Sequence, residues 1–196
     1  MATQKGGNCI KLLTLGNSMV GKSSLIARFI ENKFFNSYIS TIGIDFFKKK
    51  FEIGDNEIDL QIYDSAGQEK YKSISKQYYH NSEGILLVFD LTSQESFVAL
   101  DDWIEDLEKV EKDLPIILVG NKSDLDGRDV SEEEINKIIH DKKFEYFETS
   151  ALNGSNVNEA FLKLTELVIK HKKSRRNTRK GMSIHVLNNP NNKKCC

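Results

Sequence analysis

The amino-acid sequence predicts an α/β domain: a six-stranded, mostly parallel sheet with one antiparallel hairpin and helices on both faces. Three observations carry this. Strand-like and helix-like periods alternate through most of the 196 residues. Two segments, Ile85-Leu86-Leu87-Val88-Phe89 and Ile116-Ile117-Leu118-Val119, are continuously apolar, as expected of parallel strands covered on both faces. Finally, Gly16-Asn17-Ser18-Met19-Val20-Gly21-Lys22-Ser23 matches G-x-x-x-x-G-K-[ST], a phosphate-binding loop, and it stands between a strand and a helix as that loop requires.

The first strand, Ile10–Leu15, enters this loop, and an amphipathic helix, Lys22–Ile30, leaves it. The two glycines let the backbone curl so that several N–H groups face one anion. The helix N-terminus adds partial positive charge beneath it. Ser18, Met19, Val20, Gly21, Lys22, Ser23 and Ser24 are therefore candidate nucleotide-binding residues. Lys22 reaches the outer phosphates, and the Ser23 hydroxyl suits Mg²⁺. Asp45–Ile53 and Glu57–Tyr63 read as strands joined by a Gly54-Asp55-Asn56 turn, hence antiparallel neighbours. A short helix near Ile74–His80 precedes the strand Gly84–Asp90. Helix Gln94–Glu111 follows, with Ser93 as its N-cap, and then strand Ile116–Asn121. Helix Ser131–Asp141 opens on a Ser131/Glu134 capping box. Strand Phe144–Glu148 and helix Asn156–His171 complete the pattern.

After about Lys172 the periodicity stops. The predicted organisation is a flexible N-terminus over 1–8, one domain over 9–172, and a basic flexible tail over 173–196. The net charge of −1 hides an asymmetry: Lys170 to Cys196 holds nine Lys and Arg and no Asp or Glu, so the rest carries about −10. The basic run lacks interleaved aromatics and the body is acidic, which argues against nucleic acid as a partner. No apolar run approaches the ~20 residues of a membrane span. Met1 to Asn8 lacks the apolar core of a signal peptide, so a cytosolic protein is expected. Its three cysteines form no disulfide framework, and its four histidines lack ligand spacing.

Four further motifs fall at strand ends, where ligands of such sheets sit. Asp64, in Tyr63-Asp64-Ser65-Ala66-Gly67-Gln68-Glu69, suits a Mg²⁺ site through water. Gly67 lets the backbone approach a terminal phosphate. Gln68 both donates and accepts, so it can orient a water for in-line attack. In Asn121-Lys122-Ser123-Asp124, the Asp124 carboxylate can accept from the N1–H and N2–H₂ edge of guanine, a donor pair adenine lacks. In Glu148-Thr149-Ser150-Ala151 a backbone N–H can meet the guanine O6. Thr41, between the first helix and second strand, can ligate Mg²⁺ only beside a γ-phosphate, which makes its loop a switch.

With these residues in hand, the chain resembles the small GTPases of the Ras superfamily, and within it the Rab family. The stretches that carry the resemblance are Ile42-Gly43-Ile44-Asp45-Phe46, Leu60-Gln61-Ile62-Tyr63-Asp64, Lys70-Tyr71-Lys72-Ser73-Ile74, Gln77-Tyr78-Tyr79 and Leu87-Val88-Phe89-Asp90-Leu91-Thr92. It covers residues 9 to 172 and the last two cysteines. The resemblance implies a P-loop fold that binds GTP or GDP with Mg²⁺ and hydrolyses GTP slowly, with Gln68, Lys22 and Thr41 as catalytic residues and Ser23, Thr41 and Asp64 at the metal. Phe34, Tyr38, Thr41, Gly67, Asn121, Lys122, Asp124, Ser150, Ala151 and Leu152 would complete the nucleotide site, with Phe34 against the guanine. Ile42, Phe46, Tyr63 and Tyr78 would form the surface that effectors read.

The implied partners are an exchange factor, a GTPase-activating protein, a prenylation escort protein, a GDP-dissociation inhibitor and effectors, acting on a monomer. Cys195 and Cys196 resemble the Rab terminus that receives two geranylgeranyl chains. One lipid anchors marginally and two anchor stably, and the basic run would add attraction to anionic lipid. The implied location is the cytoplasmic face of an intracellular membrane or vesicle, cycling with the cytosol. Four positions depart from the family: Met19 for Gly, Tyr63 for Trp, Ser65 for Thr, and Leu152 for Lys. Met19 keeps open a nucleotide-loaded scaffold that hydrolyses negligibly. An ATP-dependent phosphotransferase is the other alternative, and Asp124 argues against it.

Overall fold

Alternation of apolar side chains along the strands decides the layering. The computed structural model describes residues 8–35, 41–53, 56–67, 77–110 and 113–187. Strands β1 (Asn8–Leu15), β2 (Ile44–Ile53), β3 (Asn56–Ser65), β4 (Gly84–Asp90), β5 (Ile116–Asn121) and β6 (Glu145–Glu148) form one sheet in the order β2-β3-β1-β4-β5-β6. Only β2 and β3 pair antiparallel; every other pair is parallel.

The helices are α1 (Lys22–Glu31), α2 (Gln94–Val98), α3 (Leu100–Val110), α4 (Glu132–Lys142) and α5 (Val157–Leu187). In β1, Ile10 and Leu12 pack with Leu25, Ile26 and Phe29 of α1 and Phe161, Leu164 and Val168 of α5. Leu13 and Leu15 point the other way, to Trp103, Ile104 and Leu107 of α3 and Ile135 of α4. The same odd–even division runs through β4 and β5, which is why they read as unbroken apolar runs. Phe29 and Phe161 stack at 4.3 Å between centroids and lock α1 to α5.

The expected hairpin is present, with Phe46 opposite Tyr63 and Ile44 opposite Ser65; Gly54 and Asp55 of its turn lie outside the described residues. Ser93 caps α2, and the Ser131/Glu134 capping box is complete in both directions. Two differences stand out. The helix expected over Gln94–Glu111 is two, α2 and α3, divided at Ala99; Glu111 and the Ile74 end of the short helix lie outside the described residues, while 77–79 are helical. The helix expected to end at His171 continues to Leu187. Lys and Arg are good helix formers, the single glycine, Gly181, costs about 1 kcal/mol, and the first proline, Pro190, comes later. Burial does end near His171: Val168 is buried, whereas Lys173, Arg175 and Arg176 are exposed. Among the described residues no helix is long and apolar enough to cross a membrane.

Candidate functional site

Parallel pairing brings the carboxyl ends of β1, β3, β4, β5 and β6 to one edge of the sheet, and the segments after those ends meet there. The loop from Gly16 to Lys22 wraps back onto itself. Lys22, buried in the first turn of α1, donates from Nζ to Gly16 O at 3.0 Å and Asn17 O at 2.8 Å. Burial pushes its pKa down to about 8, against the pull of Asp64. Gly21 caps α1 with φ +95°, and a Cβ there would meet the Asn121 side-chain amide. Gly67 sits flat against the Asn17–Ser18 peptide, where any side chain would collide.

Next to Lys22, three oxygen donors converge. Ser23 Oγ donates to Asp64 Oδ2 at 2.5 Å and lies 3.0 Å from Thr41 Oγ1, which itself donates to Asp64 Oδ2 at 3.2 Å. Burial raises the Asp64 pKa; Ser23, Lys22 and Thr41 oppose that, and Asp45, opposite it in the β2–β3 ladder, adds to it. A buried carboxylate with two hydroxyls is an oxygen-only set. It suits a hard divalent cation that takes its remaining oxygens from phosphates and water. Among the described residues no group of three or more His, Cys, Asp or Glu could hold a metal by itself.

Asn121 at the end of β5 is buried and held by three hydrogen bonds. It donates from Nδ2 to Val20 O at 2.8 Å, and its Oδ1 accepts from Thr149 Oγ1 at 3.2 Å and Ala151 N at 3.3 Å. In this state the side chain ties three loops together. Lys122 pairs with Asp90 at 2.5 Å. Ser150 Oγ donates to the half-buried Asp124 carboxylate. Phe34 packs partly buried against the α1–α5 core, and Leu152 is exposed. Ile42 and Phe46 are exposed, and Phe46, Tyr63 and Tyr78 form a continuous aromatic row with centroid spacings of 5.2 and 5.1 Å. Tyr38, Gln68, Cys195 and Cys196 lie outside the described residues.

The sequence reasoning missed two supports. Arg28 of α1 reaches the far loop, donating to Ala151 O at 2.9 Å and Leu152 O at 2.6 Å. Trp103 of α3 donates from Nε1 to Asn17 Oδ1 at 2.9 Å. Neither pair has a local signature, since each joins residues far apart in the chain.

Comparison with known proteins agrees with this geometry. A family model described as Ras family matches residues 11–170. The chain is 40% identical over 166 residues to the Ras-related protein Rab-15 of Homo sapiens, covering 83% of this chain and 78% of that protein. It is 42% identical over 160 residues to the GTP-binding protein YPT1 of Saccharomyces cerevisiae, covering 81% and 78%. It is 39% identical over 191 residues to the Ras-related protein Rab-13 of Canis lupus familiaris, covering 94% of each. The chain belongs to the Rab small GTPases of the Ras superfamily. This Rab is a GTP-binding switch of vesicle trafficking and a GTPase, and it works with regulators and effectors at membranes.

One departure of this Rab from its family has a conformational consequence. Met19 holds φ +66°, where an L side chain is strained by roughly 1–2 kcal/mol, and the residue is 66% exposed. Met19→Gly is expected to raise stability against urea by about 0.5–1 kcal/mol, the strain relieved less the entropy of glycine. Met19→Ala keeps the Cβ and is expected to leave stability unchanged. Equal stability of M19G and wild type would show that the backbone there is not strained.

Proposed function

We propose that the cluster of Ser23, Thr41 and Asp64 beside Lys22 is the Mg²⁺ and phosphate site of GTP hydrolysis. The convergence of two hydroxyls and one carboxylate within hydrogen-bond reach of each other carries this reading. Ser18, Met19, Val20, Gly21, Lys22, Ser23 and Ser24 hold the phosphates, largely through backbone N–H groups. Phe34, Tyr38, Asn121, Lys122, Asp124, Ser150, Ala151 and Leu152 surround ribose and base. A bound Mg²⁺ neutralises charge that develops on the phosphoryl oxygens.

The chain's own residues supply the rest. Lys22, held by the Gly16 and Asn17 carbonyls, directs its remaining N–H to the outer phosphates. Gly67 presents its backbone N–H to the terminal phosphate. With the terminal phosphate bound, Thr41 would add metal contact to its bonds with Ser23 and Asp64; hydrolysis would remove that contact and loosen the loop. Gln68 orients the attacking water and holds it in line. The chemistry is positioning and electrostatics, which suits slow intrinsic turnover that an activating protein accelerates.

The domain is proposed to span 9–172, followed by a basic tail to 196. Ile42, Phe46, Tyr63 and Tyr78 would be read by effectors in the GTP state. Cys195 and Cys196 would carry two geranylgeranyl chains, delivered by an escort protein and masked by a GDP-dissociation inhibitor. The protein would then cycle between the cytosol and the cytoplasmic face of an intracellular membrane. Single-turnover decay of loaded GTP tests the site: wild type is expected to convert GTP to GDP slowly, and Gln68→Leu to stop it. Turnover that survives Gln68→Leu would assign the water to another group. Wild-type GTP that never decays would return the scaffold alternative.

A further inference from the structure

Asn17 is where three parts of the site meet. Its backbone carbonyl accepts from Lys22 Nζ at 2.8 Å. Its peptide with Ser18 is the surface against which Gly67 lies. Its side-chain Oδ1 accepts from Trp103 Nε1 at 2.9 Å, across 86 residues of sequence. Trp103 is fully buried, the largest such side chain in the protein, and sits on α3 among Leu13, Leu15, Leu87 and Leu107. A buried indole N–H needs an acceptor, so Trp103 and Asn17 constrain each other.

From this geometry we propose that Trp103 is a positioning residue for the phosphate loop. Its indole N–H fixes the Asn17 side chain, and through it the orientation of the Asn17 carbonyl and the Asn17–Ser18 peptide. Those groups set where the Lys22 ammonium rests and how closely Gly67 approaches. The rigid core face of α3 thereby holds the nucleotide site open in the geometry the phosphates require, without touching the ligand. The inference rests on the assignment of this loop to the nucleotide.

The test uses dissociation of mantGDP from the full-length chain. Trp103→Phe keeps the aromatic packing and removes the donor; Asn17→Ala removes the acceptor. Each is expected to speed dissociation about five-fold, the equivalent of one net hydrogen bond of about 1 kcal/mol. The double variant is expected to be no faster than either single one, because both changes break the same bond. A purely structural Trp103 would lower the melting temperature and leave the two kinetic effects additive; additive effects, or dissociation at the wild-type rate, overturn the proposal.

Trp103 is the sole tryptophan, so it also reports spectroscopically should W103F fail to fold. Its emission is expected to shift when EDTA strips the nucleotide from wild type and not to shift in N17A. The same shift in both overturns the proposal. Wild type that fails to bind mantGDP defeats the site assignment itself, a result distinct from either.

Discussion

Lys22→Met is expected to weaken binding of every nucleotide on the order of 10²–10⁴-fold, through loss of charge-assisted bonds to the outer phosphates. It is also expected to leave the nucleotide-free fold at least as stable as wild type. The ammonium is buried against two backbone carbonyls, and desolvation depresses its pKa from 10.5 to about 8. Between those values the folded, nucleotide-free protein binds fewer protons than the unfolded chain, so stability rises with pH through that window. Below about pH 8 the charged lysine costs the fold roughly 3 kcal/mol. Methionine removes that cost and leaves two carbonyls without a donor, at about 1 kcal/mol each. Urea denaturation after nucleotide removal measures the balance; a large loss of stability would mark Lys22 as structural.

The same depressed pKa predicts a pH profile. Phosphates favour the charged lysine, so nucleotide binding takes up a proton wherever the free site has lost it. MantGDP affinity should be flat between about pH 7, above the terminal phosphate's own ionisation, and about pH 8, and fall above it, approaching tenfold per unit. K22M retains the guanine N1–H titration and lacks the ammonium, so its profile should be shallower. Identical profiles would mean that Lys22 does not titrate in the free site.

The parts of this molecule that were legible in sequence are those made by consecutive residues. The phosphate loop is one continuous segment, and its neighbours Ile10–Leu15 and Lys22–Ile30 carry their own periods. The antiparallel hairpin followed from a turn between two β-rich runs, and the capping box from Ser131 and Glu134, three positions apart. The residues that brace those segments were not legible. Arg28 grips carbonyls more than a hundred positions away, and the acceptor for Trp103 lies on another element. Such pairs are fixed by packing, which has no spacing in sequence. Asn121 was read as a nucleotide residue from its motif alone; that its amide also joins Val20, Thr149 and Ala151 is a loop junction with no spacing in sequence. The end of α5 was misplaced for a different reason: loss of apolar periodicity marks where burial stops, not where the helix stops.

Asp124→Asn is expected to reverse the choice of base. Ser150, buried and held in the loop after β6, donates to one Asp124 oxygen and fixes the carboxylate in place. The remaining lone pairs can accept both the N1–H and N2–H₂ of guanine, each bond to a charged acceptor being worth about 1.5–3 kcal/mol. Asparagine keeps one acceptor, which Ser150 and N1–H can share, and puts a donor where the second acceptor was. GDP affinity should therefore fall about 10²–10⁴-fold. Xanthosine diphosphate, with a carbonyl in place of the N2 amino group, should become the tighter ligand. Competition against mantGDP in both proteins measures this, and an unchanged ratio of the two bases would remove Asp124 from base recognition. With Lys22 on phosphates common to all nucleotides, as proposed, K22M should lower each affinity by a similar factor and leave the ratio intact. With Asp124 on one edge of one base, as proposed, D124N should change the ratio and leave binding through the phosphates intact. A phosphate loop alone would hold any nucleotide; on the proposed reading, the carboxylate in the loop after β5 is what would make the switch answer to guanine.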